Sequence, residues 1–163
     1  MQLSPLFRAR LPAIGLIALA ASFQASATLG GDGASIENDR VALAATAPVT
    51  PTTGPGYTVT AFTLPSGTVV REYLAAGSGT VFGVAWEGPM IPDLKQLLGR
   101  RHFAAVDDGA RSRNREGRRG PMALRPAGSA GLVMESTGHM RAFQGRAYLA
   151  EQLPTGVDTD AIR

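Results

Sequence analysis

The chain has 163 residues, with 16 basic and 13 acidic side chains, two histidines and no cysteine. Without cysteine there is no disulfide bridge, thiol chemistry or thiolate zinc site, so the fold must be stabilised by burial. The length is enough for one hydrophobic core and predicts a single domain.

The first 27 residues have the pattern of a secretory signal peptide. Arg8 and Arg10 precede an apolar run over residues 11–23, and the small residues 25–27 (ASA) follow as a cleavage site. This run is shorter than the about 20 residues that a membrane span needs. We therefore expect cleavage after Ala27, no transmembrane anchor in the processed chain, and a periplasmic or secreted location.

Cleavage changes the charge balance of the chain. Arg8 and Arg10 leave with the signal peptide, so 14 basic side chains remain against all 13 acidic ones. The processed chain is thus nearly neutral, and its basic character is confined to one patch. Half of the 14 basic residues belong to this patch: Arg100, Arg101, Arg111, Arg113, Arg115, Arg118 and Arg119.

Residues 28–56 are expected to form an N-terminal segment with one short helix. Ser35 is a candidate cap for a helix over residues 36–45, and acidic residues such as Asp39 in its first turn suit the positive end of the helix dipole. Residues 47–56 (APVTPTTGPG) contain three prolines and two glycines. This composition predicts a linker or an extended loop.

Residues 57–163 are expected to form the single folded domain. Three runs rich in β-branched and aromatic residues, 57–64, 68–74 and 80–87, predict strands that short turns connect as an antiparallel meander. Two more strands are predicted later in the chain, over residues 132–135 and 140–149.

A second helix is predicted between the two groups of strands. Pro92 suits its first position, a leucine stripe follows, and Gly99 is a natural stop, although the pattern could continue to Ala105. Residues 107–120 have no apolar periodicity and predict an exposed loop. The predicted fold class is therefore α+β: an antiparallel sheet of about five strands with two short helices packed on one face.

The third predicted strand alternates large and small side chains. Phe82, Val84 and Trp86 are expected on one face of the sheet, with Val81, Gly83 and Ala85 on the other. This pattern predicts a strand that is covered on both faces, with a helix lying close over the small residues.

Three parts of the sequence resemble a family of small exported bacterial proteins, the domain of unknown function numbered 2844. They are residues 27–40 (ATLGGDGASIENDR), residues 64–99 (LPSGTVVREYLAAGSGTVFGVAWEGPMIPDLKQLLG) and residues 135–163 (ESTGHMRAFQGRAYLAEQLPTGVDTDAIR). The resemblance implies an exported, single-domain protein and brings no activity, catalytic residue or cofactor. It also implies that the segment after the second helix varies among members.

Residues 111–120 (RSRNREGRRG) hold five arginines and one acid. Arginine forks suit phosphate and carboxylate groups, so the patch is a candidate contact for an anionic envelope polymer. The alternative is a solvated loop, which we favour because charge runs are commonly solvated. No aromatic residue lies between Phe103 and Phe143 to stack on bases, so no nucleic acid partner is expected.

The candidate reactive residues do not form a recognisable motif. His102 and His139 lack metal-site spacing, even with Asp107 added, and no metal or cofactor is expected. A hydrolase triad of Ser136, His139 and Glu135 is also unsupported. The three residues are close in sequence, but the chain has no nucleophile elbow. Glu72 and Glu87 on neighbouring strands could pair for glycoside chemistry, but solvent-facing strand acids are commoner. We expect no enzymatic activity.

Aromatic residues on the strands should mostly be core, but one left partly exposed would suit a protein partner. Tyr73, Trp86 and Tyr148 are the candidates for such an interaction surface. The sequence therefore favours a non-enzymatic accessory or protein-interaction domain of the cell envelope with an unknown envelope protein as partner. An envelope polyanion-binding protein that uses the arginine patch is the alternative, and an unrecognised hydrolase is the third.

Overall fold

The computed structural model describes residues 29–46, 51–126 and 131–163. The predicted signal peptide and its cleavage site lie outside these residues. The described part has two α-helices, α1 (Gly33–Ala42) and α2 (Leu94–Arg115). Its strands are β1 (Thr52–Gly54), β2 (Tyr57–Thr63), β3 (Val69–Ala75), β4 (Val81–Gly88), β5 (Met122–Leu124), β6 (Leu132–His139) and β7 (Ala142–Leu149).

All of these strands belong to one antiparallel sheet in the order β1-β2-β3-β4-β7-β6-β5. The predicted α+β class is confirmed, and the five predicted strands correspond to β2, β3, β4, β6 and β7. The strand count was too low because β1 and β5 have only three residues each and show no alternation. β1 also lies in the stretch expected to be a linker, so the N-terminal segment is an integral part of the sheet.

Helix α1 begins earlier than the sequence predicts. Asp32, and not Ser35, caps it: the Asp32 carboxylate accepts hydrogen bonds from the backbone N–H groups of Ala34 and Ser35 at 3.1 and 3.2 Å. The helix therefore starts at Gly33, and Ser35 is buried within its first turn.

Helix α2 is longer than predicted. Gly99 breaks the helix locally with φ 72°, as the stop signal indicated, but the chain resumes the helix and continues to Arg115. The expected loop over residues 107–120 is therefore wrong for residues 107–115. Phe103, Val106 and Ala110 recur at helical spacing and pack against the core, which extends the helix beyond its leucine stripe.

Both faces of the sheet are covered. The helices lie on the face that carries Val84 and Trp86. The strand register shifts between Tyr73 and Leu74, opposite Phe82, so Phe82 joins the other face with Tyr73. This β-bulge is why the predicted grouping of Phe82 with Val84 and Trp86 is wrong. For the same reason Val81 lies on the helix face and not with Gly83 and Ala85, as predicted.

The C-terminal segment, and not an α-helix, covers the face with the small residues, and its Thr159–Ala161 part forms a short 3-10 helix. Ile162 is fully buried beside Gly83. The Tyr73 hydroxyl accepts a hydrogen bond from the Arg163 N–H at 3.0 Å and donates one to the Arg163 O atom at 2.9 Å. The Arg146 guanidinium donates to the Thr159 carbonyl at 2.7 Å. These contacts hold residues 159–163 against a second hydrophobic core.

Gly145 tests how tightly the core between the sheet and the helices is packed. It pairs with Trp86 across the sheet, and a Cβ at this position would overlap with the indole ring. We expect Gly145→Ala to lower the free energy of unfolding by about 1–3 kcal/mol, because overpacking forces the ring to move. Urea denaturation measures this change. The control Gly77→Ala enters open space, and an equal loss in both variants would contradict this account.

Candidate functional site: a surface groove and a buried acid pair

The aromatic residues expected at an interaction surface are buried. Tyr73, Trp86 and Tyr148 are 3%, 1% and 4% exposed. Trp86 belongs to the core under the helices, and both tyrosines belong to the core under the C-terminal segment. The expectation of an aromatic surface is therefore wrong, because both faces of the sheet are covered.

An open groove lies beside the turn between β6 and β7, which we call the hairpin groove. Its volume is about 970 Å³, and its lining includes Pro89, Ile91, Gly138, His139 and Phe143. Three of the lining residues, Pro89, Ile91 and Phe143, have apolar side chains. The hairpin groove can therefore accept apolar side chains of a second molecule.

Exposed apolar residues are concentrated near this groove. Met90, Ile91 and Met140 are 58%, 46% and 88% exposed, and only Val41 joins them as an exposed large hydrophobic residue in the part of the chain that the structure describes. Ile91 lines the groove, and Met90 and Met140 are sequence neighbours of residues that line it. The buried Thr68 holds the Met90 backbone through two hydrogen bonds, so this wall is fixed. Met140 lies in the tight hairpin turn with φ 55°.

A second groove, of about 730 Å³, adjoins the hairpin groove and shares Glu87, Ser136 and Gln144 with it. Its charged residues are neutralised in pairs: Arg146 binds Glu135 at 2.8 Å, and Arg71 lies 3.9 Å from Glu87. Arg146 is also engaged with the C-terminal segment. This groove therefore has no strong preference for an anion or a cation.

The arginine patch lies mainly on helix α2. Arg100, Arg111 and Arg115 are exposed and separated by three turns and one turn, which places them on one helix face. Arg101 is exposed beside them, Arg113 donates to the Pro121 carbonyl, and Arg118 and Arg119 follow the helix. Part of the charge is offset, because Arg111 pairs with Asp107 at 2.6 Å and Arg118 lies 3.7 Å from Glu116.

The two histidines lie at opposite ends of β7. His102 is within α2 and not at a helix end, with Nδ1 3.1 Å from the Leu98 carbonyl, and burial lowers its pKa. The His102 ring lies near Gly30, beside Leu149 at one end of β7. At the other end, His139 is paired with Ala142 and is exposed in the hairpin groove. Among the described residues, no three histidine or acidic side chains are grouped to hold a metal ion.

The other candidate reactive residues are also separated. Glu135 and Ser136 are consecutive on β6 and so point to opposite faces of the sheet, and Glu135 is bound to Arg146. Glu72 and Glu87 lie on opposite faces too: Glu72 is opposite Val84 under the helices, and Glu87 is exposed. The structure therefore assembles neither the triad nor the carboxylate pair considered from the sequence.

Glu72 instead forms a buried acid pair with Asp39 of α1. Both residues are fully buried. The Gln96 amide donates to Asp39 Oδ1 at 2.6 Å, but Asp39 Oδ2 and both carboxyl oxygens of Glu72 have no hydrogen-bond partner among the described residues. Sequence reasoning missed this pair, although the position of Glu72 between Val70 and Leu74 on one strand face was a signal of burial.

Burial determines the protonation of both acids. Burial, with a smaller contribution from the charge of Asp39, raises the pKa of Glu72 from its ordinary value of 4.5 to about 9. Burial also raises the pKa of Asp39 to about 7, against the opposing effect of the Gln96 hydrogen bond. At neutral pH the pair therefore keeps at least one proton, on Glu72.

The comparisons place this structure in a family. The model of the family described as protein of unknown function (DUF2844) matches residues 25–162. The chain belongs to the DUF2844 family. The match confirms the resemblance seen in the sequence, and it spans every described element of this DUF2844 fold. No curated protein and no solved structure matches the chain, and none of the helices in the described residues is long and apolar enough to cross a membrane.

Replacing Glu72 should alter how stability depends on pH. The pKa of Glu72 is higher in the folded state than in the unfolded state, so the stabilisation from its protonated form is complete below about pH 4.5. This stabilisation is lost as pH rises towards 9. Glu72→Gln cannot ionise, so we expect a gain of about 1–3 kcal/mol in unfolding free energy at pH 8, and little change at pH 4.5. Urea denaturation at both values measures this.

The matched control for this experiment is Glu87→Gln. Glu87 is exposed on the opposite face of the same sheet, so its replacement should give no pH-dependent gain. A Glu72→Gln variant with the same pH profile as the unmodified protein would show that Glu72 is ionised in the fold, contrary to its burial.

Proposed function

We propose that this DUF2844 member is an exported, non-enzymatic accessory or protein-interaction domain of the cell envelope, and that the hairpin groove is its binding surface. The concentration of exposed apolar residues at this groove carries the proposal. The signal-peptide pattern of residues 1–27 supports export.

The chemistry of the groove suits a protein partner. Methionine side chains are flexible and polarisable, so Met90 and Met140 can adapt to the shape of a bound surface. Phe143 and Ile91 provide a fixed apolar base, and His139 and Arg141 add polar groups at the rim. An apolar centre with a polar rim is the common arrangement of protein interfaces.

Site-specific photo-crosslinking in intact cells tests the groove. A photoreactive residue at Ile91 or His139 should give one adduct of the same partner, because both positions line the groove. The same residue at Val41 is the control, since Val41 is 62% exposed but does not line the groove. Adducts that are absent, or identical at all three positions, would overturn the proposal.

The arginine face of α2 supports a second function, the binding of an anionic envelope polymer. The specific observation is that Arg100, Arg111 and Arg115 share one exposed helix face, which presents several guanidinium groups in a fixed arrangement. Such binding would be electrostatic and should weaken steeply as the salt concentration rises.

Heparin chromatography tests this second function. Replacing Arg100, Arg111 and Arg115 together with Gln should lower the salt concentration at which the protein elutes, because three contacts with the polymer are lost. The control replaces Arg125, Arg141 and Arg163, which are exposed elsewhere, and removes the same charge. Equal retention of the two triple variants would show that only net charge matters.

A further inference from the structure

Helix α1 is attached to the fold by very few apolar side chains. Its buried residues are Ser35, Ile36 and Asp39, so only one of the three is apolar. Ser35 is engaged within the helix, where its hydroxyl donates to the Asp32 carbonyl. Asp39 is therefore a main contact of α1 with the rest of the fold: its carboxylate accepts a hydrogen bond from the Gln96 amide at 2.6 Å, and its charge acts on the buried Glu72.

We propose that Asp39 and Glu72 form a proton-dependent latch, which holds α1 against the sheet while the pair keeps a proton and releases it when both carboxyls are ionised. Two carboxylates enclosed in a core repel each other and lose their hydration. Because they belong to different elements, α1 and β3, separating these elements relieves both costs. This inference does not depend on the hairpin groove.

No cation offsets this repulsion within the described residues. On α1, the Arg40 guanidinium binds Glu37 at 2.6 Å and the Ala45 carbonyl at 3.2 Å. On α2, Asp93 and Lys95 are exposed, and the group that reaches the pair is the neutral Gln96 amide.

The strands beside β3 place no charge next to Glu72 either. Its partners in the sheet are Thr60 on β2 and Val84 on β4. The charge of the pair is therefore controlled by its own protons.

The direction of the response follows from the pKa values of the pair. Burial raises the pKa of Asp39 to about 7 and that of Glu72 to about 9. Both exceed the values expected in a solvated state, so the attachment of α1 is complete at acidic pH and is lost as pH rises through this range. Release uncovers Glu72, whose two carboxyl oxygens have no hydrogen-bond partner in the described structure.

Hydrogen–deuterium exchange of the processed chain tests the latch. After correction for the intrinsic exchange rate, protection of α1 amides relative to β4 and β7 should fall at least about tenfold between pH 5.5 and 9, because one pKa unit corresponds to a tenfold change in an equilibrium. Glu72→Gln should remove most of this fall. Glu87→Gln, which replaces an exposed acid on the opposite face of the sheet, should leave it unchanged.

Two results would overturn the latch. Protection of α1 that does not change with pH would do so, as would equal loss of protection in α1 and the sheet, which would indicate global destabilisation. A second measurement requires no variant: the infrared C=O band of a protonated carboxyl should disappear from the unmodified protein over the same pH range as α1 protection. Absence of this infrared band at pH 7 would also exclude the latch.

Discussion

The fold depends on one constraint: the central strand β4 is buried on both faces. Residues 81–86 are all buried, with Val84 and Trp86 under the helices and Phe82 and Ala85 under the C-terminal segment. A strand in this position needs two separate covers. One is the pair of helices, of which α2 supplies most of the apolar side chains, and the other is the short C-terminal segment, which Tyr73 and Arg146 hold in place.

This arrangement determines where function can reside. Side chains with polar chemistry are either enclosed, as Glu72 and Asp39 are, or neutralised on the surface, as Arg146 is by Glu135. The hairpin groove and the exposed face of α2 remain available for contact with other molecules. The enclosed acids therefore bear on how the fold responds to its surroundings, and the two surfaces bear on what the protein contacts.

Much of the sheet was predictable from the sequence, because β2, β3, β4, β6 and β7 are dense in β-branched and aromatic residues. The β-bulge opposite Phe82 was not, since one extra residue reverses every later assignment to a face and leaves no mark in composition. The extension of α2 beyond Gly99 depends on Phe103, Val106 and Ala110 meeting a core that is formed by distant strands. The acid pair was hidden for the same reason, because only tertiary packing brings Asp39 to Glu72.

The link between Tyr73 and Arg163 joins residues that are 90 positions apart in sequence. The second core is therefore incomplete until residues 159–163 have been synthesised, however early β3 and β4 have formed. Contacts of such long range are formed slowly, because a large loop must close first. Until that loop closes, the face of the sheet that carries Tyr73 has no cover.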